Sequence, residues 1–332
     1  MYYSFIIPVY NRPEEIDELL ASLVVQQYKE KFEVVIVEDG STIDCQKIVE
    51  KYNQSLQISY YYKTNSGPGA SRNYGMERAQ GEYYIILDSD CIIPPQYLVE
   101  VDQYLKEAYV DCFGGPDNAL DSFSDVQKAI NFSMTSFLTT GGIRGANERI
   151  AKFQPRSFNM GISKKAFQES QGFGNIHPGE DPDLTIRLWK MGYTTELFPN
   201  AFVYHKRRID WNKFYIQVNK FGKARPILDQ RYPEYSKSFY FFPSLFILGL
   251  IGSLVLFVDG FSLFIKLYLL YFLFVFVLGS IQNKSFKIGI YAVYAVFVQF
   301  LGYGMGFVKS LYILRVKKQK AEEGLSEMFF KK

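Results

Sequence analysis

"YYIILDSDCIIP", residues 83–94, runs an apolar stretch straight into two carboxylates, Asp88 and Asp90, and then back into apolar sequence. An apolar run without alternation is what a strand covered on both faces requires. The same design recurs upstream. "YSFIIPVYN" (3–11) is a short apolar run stopped by Pro and Asn, "FEVVIVEDGS" (32–41) ends in acids and a turn, and "ISYYYKT" (58–64) reads as a third strand. Between them, "RPEEIDELLASLVVQQ" opens with Pro and acids and sets Ile16, Leu19, Leu20 and Leu23 on one face, as a helix does. "DCQKIVEKY" and "GPGASRNYGMERAQ" complete the alternation. Strand, helix, strand, helix with continuous apolar strands predicts a mostly parallel sheet with helices on both faces. Ligands of such sheets bind beyond the carboxyl ends of the strands, where "YN", "EDGS", "TNSGPG" and "DSD" all fall.

The chain has 332 residues and a formal net charge of +3, too little for a concentrated basic face, so no nucleic-acid partner is expected. Three cysteines, Cys45, Cys91 and Cys112, lack metal-ligand spacing, and an odd count closes no disulfide framework. The start "MYYSFIIPVYN" reads as a first strand rather than a signal peptide, which places the soluble part in the cytoplasm.

Past the acids the pattern loosens from about 111 to 157. There "TTGGIRGANERIAKFQPRSF" mixes glycines with Arg144, Arg149 and Arg156 and reads as a loop. "NMGISKKAFQESQGFG" returns to strand then helix, "EDPDLTIRLWKMGY" (180–193) is a helix, and "TTELFPNAFVYH" closes with another strand. "WNKFYIQVNKFGKAR" (211–225) sets Trp211, Phe214, Tyr215, Val218 and Phe221 opposite lysines, which suits a lipid interface or packing on the protein itself. Three segments almost free of charge follow, at 241–258, 261–280 and 286–308, each near the roughly 20 residues needed to span a bilayer. Lys220, Lys223, Arg225, Arg231 and Lys237 precede the first, which predicts a cytoplasmic catalytic domain on an inner or plasma membrane. The basic tail (Lys309, Arg315, Lys317, Lys318, Lys320) opposes that orientation if the third segment crosses, so the sequence leaves the parity open.

Two carboxylates one residue apart at a strand end can hold Mg²⁺ or Mn²⁺ against a diphosphate, since these hard cations take oxygen ligands and keep positions open. Taken together, "SFIIPVYNRPEEIDELLASLVVQQY", "VVIVEDGSTID", "NSGPGASRNYGMERAQGEYYIILDSDCIIP" and "GEDPDLTIRLWKMGY" resemble a family 2 glycosyltransferase of the inverting, GT-A type, over about residues 3–207. The resemblance implies a nucleotide-sugar donor, Mn²⁺ or Mg²⁺, and transfer to an acceptor with inversion at the anomeric carbon. By position it puts Pro8, Tyr10 and Asn11 beside the nucleotide. It makes Asp39 the acceptor of a hydrogen bond from the base, with Arg72 near the base and phosphates. Asp88 and Ser89 would touch the donor, Asp90 would ligate metal with Asp88 and His205, and Asp181 would be the catalytic base with Glu180 beside it. Asp183, one step further, reads as a cap or solvated acid.

The chain departs from the family's pattern in two places. The Gln-x-x-Arg-Trp of processive synthases is replaced by "RRIDW", with Arg208 and Trp211 at other spacing, which favours single addition. "QGFGN" stands where Gly-Gly-Phe-Asp is usual. The expected organisation is a catalytic domain over 1–208, an amphipathic interfacial linker over 209–238, two or three membrane helices over 239–310 and a basic tail over 311–332. The acceptor expected is a hydroxyl of a lipid-linked or surface-polysaccharide precursor. The alternatives are a polyprenyl-phosphate acceptor, which needs no base, and a non-catalytic nucleotide-sugar-binding scaffold.

Overall fold

A computed structural model describes residues 1–118, 122–140, 153–206 and 210–330. Arg144, Arg149 and Arg208, singled out above, lie outside the described residues. The chain divides into two compact units, one holding 1–118, 153–206 and 330, the other 122–140 and 210–329.

The first unit opens as the sequence predicts, with β1 (Tyr3–Val9), α1 (Pro13–Val24), β2 (Phe32–Asp39), α2 (Gln46–Glu50), β3 (Gln57–Lys63), α3 (Pro68–Arg78) and β4 (Tyr83–Leu87). It continues through β5 (Cys91–Ile92), α4 (Tyr97–Glu107), β6 (Cys112–Gly114) and β7 (Asp117–Asn118). Here the chain makes an excursion into the second unit, as α5 (Asp125–Thr135) and α6 (Phe137–Thr140). It returns with β8 (Asn159–Ser163), α7 (Lys164–Ser170), α8 (Glu180–Lys190), β9 (Thr195–Leu197) and β10 (Val203–His205). The main sheet has the order β3-β2-β1-β4-β8-β6-β9, with β1 to β4 parallel and β8 antiparallel to both β4 and β6.

Both faces of this sheet are dry. Tyr3, Phe5, Ile7 and Val9 of β1 pack with Leu19, Leu23 and Leu98 on one side, while Ile6 joins Val35, Met76 and Leu184 on the other. That split explains the unbroken apolar runs, because alternate residues face opposite layers and both layers are cores. Gly75 allows α3 to approach: a Cβ there would stand 2.8 Å from Ile6 Cγ2.

The order reverses at β1, with β2 on one side and β4 on the other. Pairing with β4 ends at Ile6↔Ile86, while pairing with β2 runs on to Val9↔Glu38. Pro8, which has no N–H to donate, falls where β1 and β4 have parted. The crevice at such a switch point is the ligand site of open α/β sheets.

Two features correct the sequence reading. "TTELFPNAFVYH" is two strands rather than one: β9 extends the main sheet, and β10 is the centre of a second, three-stranded sheet, β5-β10-β7. Residues 122–140, expected inside the catalytic domain, form helices whose Ala129, Ile130 and Met134 pack in the second unit.

The long helices of that unit are α9 (Trp211–Arg231), α10 (Phe242–Val258), α11 (Leu263–Asn283) and α12 (Phe286–Leu311). The amphipathic helix expected at 211–225 extends to Arg231, and Phe214 and Val218 spend its apolar face on Ile288, Ala295 and Val298 of α12. Glycines set this distance: a Cβ at Gly302 would meet Val218 Cγ2 at 2.6 Å. Among the described residues, three helical stretches are long and apolar enough to cross a membrane: Ser238–Val258, Leu263–Asn283 and Phe286–Val316.

Candidate active site

The carboxyl ends of β1, β2 and β4 carry the residues that the sequence marks. Asn11, at a φ of 52°, follows β1. Its Oδ1 accepts from the Thr42 amide at 2.9 Å and the Ile43 amide at 3.1 Å, and its own N–H donates to Ser41 Oγ at 2.7 Å. Asn11 therefore ties the first two strand-end loops together, and Tyr10 beside it is exposed at the rim.

Asp39, buried at the end of β2, accepts the amides of Ser66 and Gly67 at 2.9 Å each and the Lys63 ammonium. Lys63 was not foreseen as part of the site. It fixes the 64–71 turn through Ser66 Oγ at 2.6 Å and Ser71 Oγ at 3.2 Å. A carboxylate has about four acceptor positions, so Asp39 keeps capacity beyond these three donors.

Arg72, expected near the base and phosphates, is held by carboxylates. It is buried on α3, where Nη2 donates to Asp88 Oδ1 at 2.6 Å and Nη1 to Glu180 Oε1 at 3.2 Å. The Phe173 ring lies against its guanidinium, 5.3 Å away. Burial works against the Arg72 charge, but Asp88, Glu180 and Asp181 outweigh it and hold the guanidinium firmly protonated. Arg72 thus spans the gap between the end of β4 and the start of α8.

Gly179, at a φ of 128°, turns the chain into α8 so that Glu180 and Asp181 head the helix, where its positive end favours carboxylates. The two acids part company there. Burial pushes Glu180 up, yet the His177 ring at 2.8 Å and Arg72 outweigh that and carry its carboxyl down to about 2. Burial and the neighbouring Glu180 charge push Asp181 up to about 6, and Arg72 and Ser157 offset this only in part. Asp181 Oδ1 is buried without a hydrogen-bond partner among the described residues. His177 was missed in the sequence, where its one signal was the spacing in "HPGED". Asp183 is neither a free cap nor solvated: it is buried and accepts from Arg187 Nε at 3.0 Å.

The small second sheet accounts for the remaining residues. β10 pairs with β5 at His205↔Cys91 and with β7 at Val203↔Asp117, so His205 stands between acids from both neighbours. Its Nε2 is 3.2 Å from Asp90 Oδ1, its Nδ1 is 3.9 Å from Asp117 Oδ2, and the Phe158 ring stacks on it at 4.7 Å. Asp90, Cys91 and His205 form the one cluster of possible metal donors among the described residues. Burial pushes the Cys91 thiol well up, and beside it Asp90 and His205 offer one carboxylate and one imidazole. An oxygen–nitrogen donor pair is accepted more readily by Mn²⁺ than by Mg²⁺. Asp88, expected as a further ligand, is outside this cluster, and its Oδ1 accepts from Arg72. Ser89 lies buried between the two acids.

Comparison with known proteins follows from this geometry. A family model described as glycosyl transferase family 2 matches residues 4–170. The poly(ribitol-phosphate) beta-N-acetylglucosaminyltransferase TarS of Staphylococcus aureus strain Mu50 is 39% identical over 114 residues, covering 33% of this chain and 20% of TarS. A GalNAc(5)-diNAcBac-PP-undecaprenol beta-1,3-glucosyltransferase of Campylobacter jejuni is 26% identical over 197 residues, covering 56% of this chain and 59% of that protein. The matches thus span less than two thirds of these relatives. The solved mannosyltransferase PcManGT of Pyrobaculum calidifontis, in complex with GDP-Man and Mn²⁺, superposes with a TM-score of 0.65 at 16% identity, covering 94% of this chain and 87% of that one. This likeness shows the shared GT-A-like fold.

Proposed function

The chain belongs to glycosyl transferase family 2, and we propose that it is a membrane-anchored inverting enzyme that moves a single sugar from a nucleotide-diphosphate sugar to a hydroxyl of a lipid-linked or surface-polysaccharide precursor. The observation that carries this reading is the divergence of the two acids at the head of α8. Glu180 is committed to Arg72 and His177, whereas Asp181 has a free oxygen and a carboxyl pushed up to about 6. A base near the working pH is best matched to taking a proton from a hydroxyl.

In this mechanism Asp181 receives the acceptor proton as the hydroxyl oxygen attacks the anomeric carbon. The bond from that carbon to the diphosphate breaks on the opposite face, and the nucleoside diphosphate leaves with the electron pair. Asp90 and His205 would hold a divalent cation, which supplies charge neutralisation to the diphosphate. Asp39 would accept from the base, while Pro8, Tyr10 and Asn11 border the nucleotide. Arg72 we assign to bracing Asp88 against Glu180, since both of its ends are already engaged. The names of the relatives support a polymer or undecaprenol-linked acceptor. The basic residues ahead of α10 support a cytoplasmic catalytic unit.

The reading is tested by incubating the purified protein with α-linked UDP-, GDP- and dTDP-sugars, acceptor lipid extract and Mn²⁺, and determining the anomeric configuration of the product by NMR. A β-linked product is expected. An α-linked product refutes inversion, and transfer onto a lipid phosphate in place of a hydroxyl refutes the role of the base.

A further inference from the structure

We propose that α12 does not cross the bilayer: the α10–α11 hairpin enters it, and the chain ahead of α10 and the tail beyond α12 share one side. This rests on the reading of α10 and α11 as membrane helices. All three apolar stretches qualify by length, but half of the third one's apolar window is buried inside the protein, against 17% and 11% for the other two.

The α9 and α5 helices that cover α12 meet it with apolar side chains and carry charges elsewhere on their surfaces. α9 runs beside it from Trp211, whose ring meets Tyr291 and Tyr294, to Gly222, where a Cβ would stand 2.1 Å from the Tyr303 carbonyl. From 291 to 303 a helix rises about 18 Å at about 1.5 Å per residue, more than half of a hydrocarbon core of about 30 Å. Over that length α9 carries Lys213 and Lys220, with Lys223 and Arg225 just beyond. α5 covers another side, with Ala129, Ile130 and Met134 in the cluster that holds Ile288 and Ala295, and with Asp125 paired to Lys287 at 2.8 Å. Sending α12 through the bilayer would take these charges with it, a placement that membranes tolerate only for groups facing a protected interior. α10 and α11 carry no such escort. Their Leu245, Leu248, Val255, Leu269 and Leu273 are exposed, and Lys266 is the one charge within the two helices.

The tail agrees. Beyond α12 it returns to the helix that precedes α10, pairing Glu327 with Lys223 at 3.1 Å and Glu322 with Arg231 at 3.3 Å. Three residues beyond Glu327, Phe330 belongs to the catalytic unit, where its N–H donates to the Asn175 carbonyl at 3.1 Å. A chain that starts and finishes on α9 makes an even number of crossings. The basic residues before α10 and after α12 then lie on the same side, and the positive-inside conflict seen in the sequence disappears.

Cys45, Cys91 and Cys112 are all buried, so single introduced cysteines report without background. Ser236→Cys, Asp259→Cys and Lys320→Cys variants of the full chain are treated with a membrane-impermeant maleimide in intact cells and in inverted vesicles. Positions 236 and 320 are expected to label in the same preparation, and position 259 to stay unlabelled there. Labelling of 236 and 320 in opposite preparations means that α12 crosses and overturns the proposal. Labelling of 259 together with the other two means that the hairpin is outside the bilayer, and overturns the membrane reading on which the proposal rests. Which preparation labels 236 separately decides the cytoplasmic orientation.

Discussion

Replacing Asp181 with Asn tests the chemistry most directly, because it should separate three quantities. The amide keeps the shape of the carboxyl but takes no proton, so turnover should fall by about 10²- to 10⁴-fold, the usual range for a general base. Binding of the nucleotide sugar, assigned to Asp39 and Asp90, should change little. Stability should move the other way. The carboxyl of Asp181 is pushed from its ordinary 3.8 up to about 6 by burial and by Glu180. A group whose folded-state pKa is raised contributes stability that is full below the unfolded value and lost as pH rises through the folded value. At pH 8 the charged form therefore costs stability of about 3 kcal/mol, and Asp181→Asn should raise Tm by several degrees there but by little at pH 4. The native enzyme's kcat/KM should rise with pH through about 6, since only about a tenth of Asp181 is ionised at pH 5. Glu180→Gln supplies the control. Removing that charge lets the Asp181 pKa fall, so the acid limb of the pH profile should move to lower pH. Calorimetry of donor binding, thermal melts at the two pH values and initial rates across pH 5–8 measure all of this. Near-normal turnover by Asp181→Asn refutes the assignment. If Glu180→Gln is then the inactive variant, Glu180 is the base, and if both turn over normally, the acceptor is a phosphate.

Three further outcomes are expected. Asp90→Ala should abolish Mn²⁺-dependent tightening of nucleotide diphosphate binding while the melting curve stays cooperative, as read by calorimetry with and without Mn²⁺. Arg72→Met should destabilise the protein by about 3–5 kcal/mol, because it leaves Asp88 and Glu180 without their shared buried cation, and denaturant unfolding measures the loss. Gly222→Leu should force α9 off α12, since even a Cβ there would stand 2.1 Å from the Tyr303 carbonyl; a normal yield of folded, detergent-stable protein would refute that packing.

Much of the first unit was legible because its strands are buried on both faces, which prints continuous apolar runs in the sequence, and because each run stops at the residues that serve the sheet edge. Asp39, Asp88 and Asp90 could be picked out on that ground as candidates, whereas Asp181, at a helix start, was a candidate only through the family resemblance. Local pattern failed where burial comes from elsewhere in the chain. Nothing in "VQKAINFSM" shows that its apolar face belongs with Ile288 and Ala295 in the helical unit. Three-residue strands such as β6, β9 and β10 are too short to show a period.

The sequence by itself thus determined the class of fold, the sheet edge at which its polar residues gather and a short list of candidate acids. Tertiary structure alone decided the surroundings of each acid. Glu180 and Asp181 are neighbours of like charge on the same first turn, and no local rule tells them apart. Arg72, 108 residues away, and His177 bind one and leave the other. Asp90 likewise comes to lie beside His205 only because β10 crosses to pair with β5. An electrostatic environment is a sum over groups that are close in space, and residues far apart along the chain become close only when the sheet is assembled.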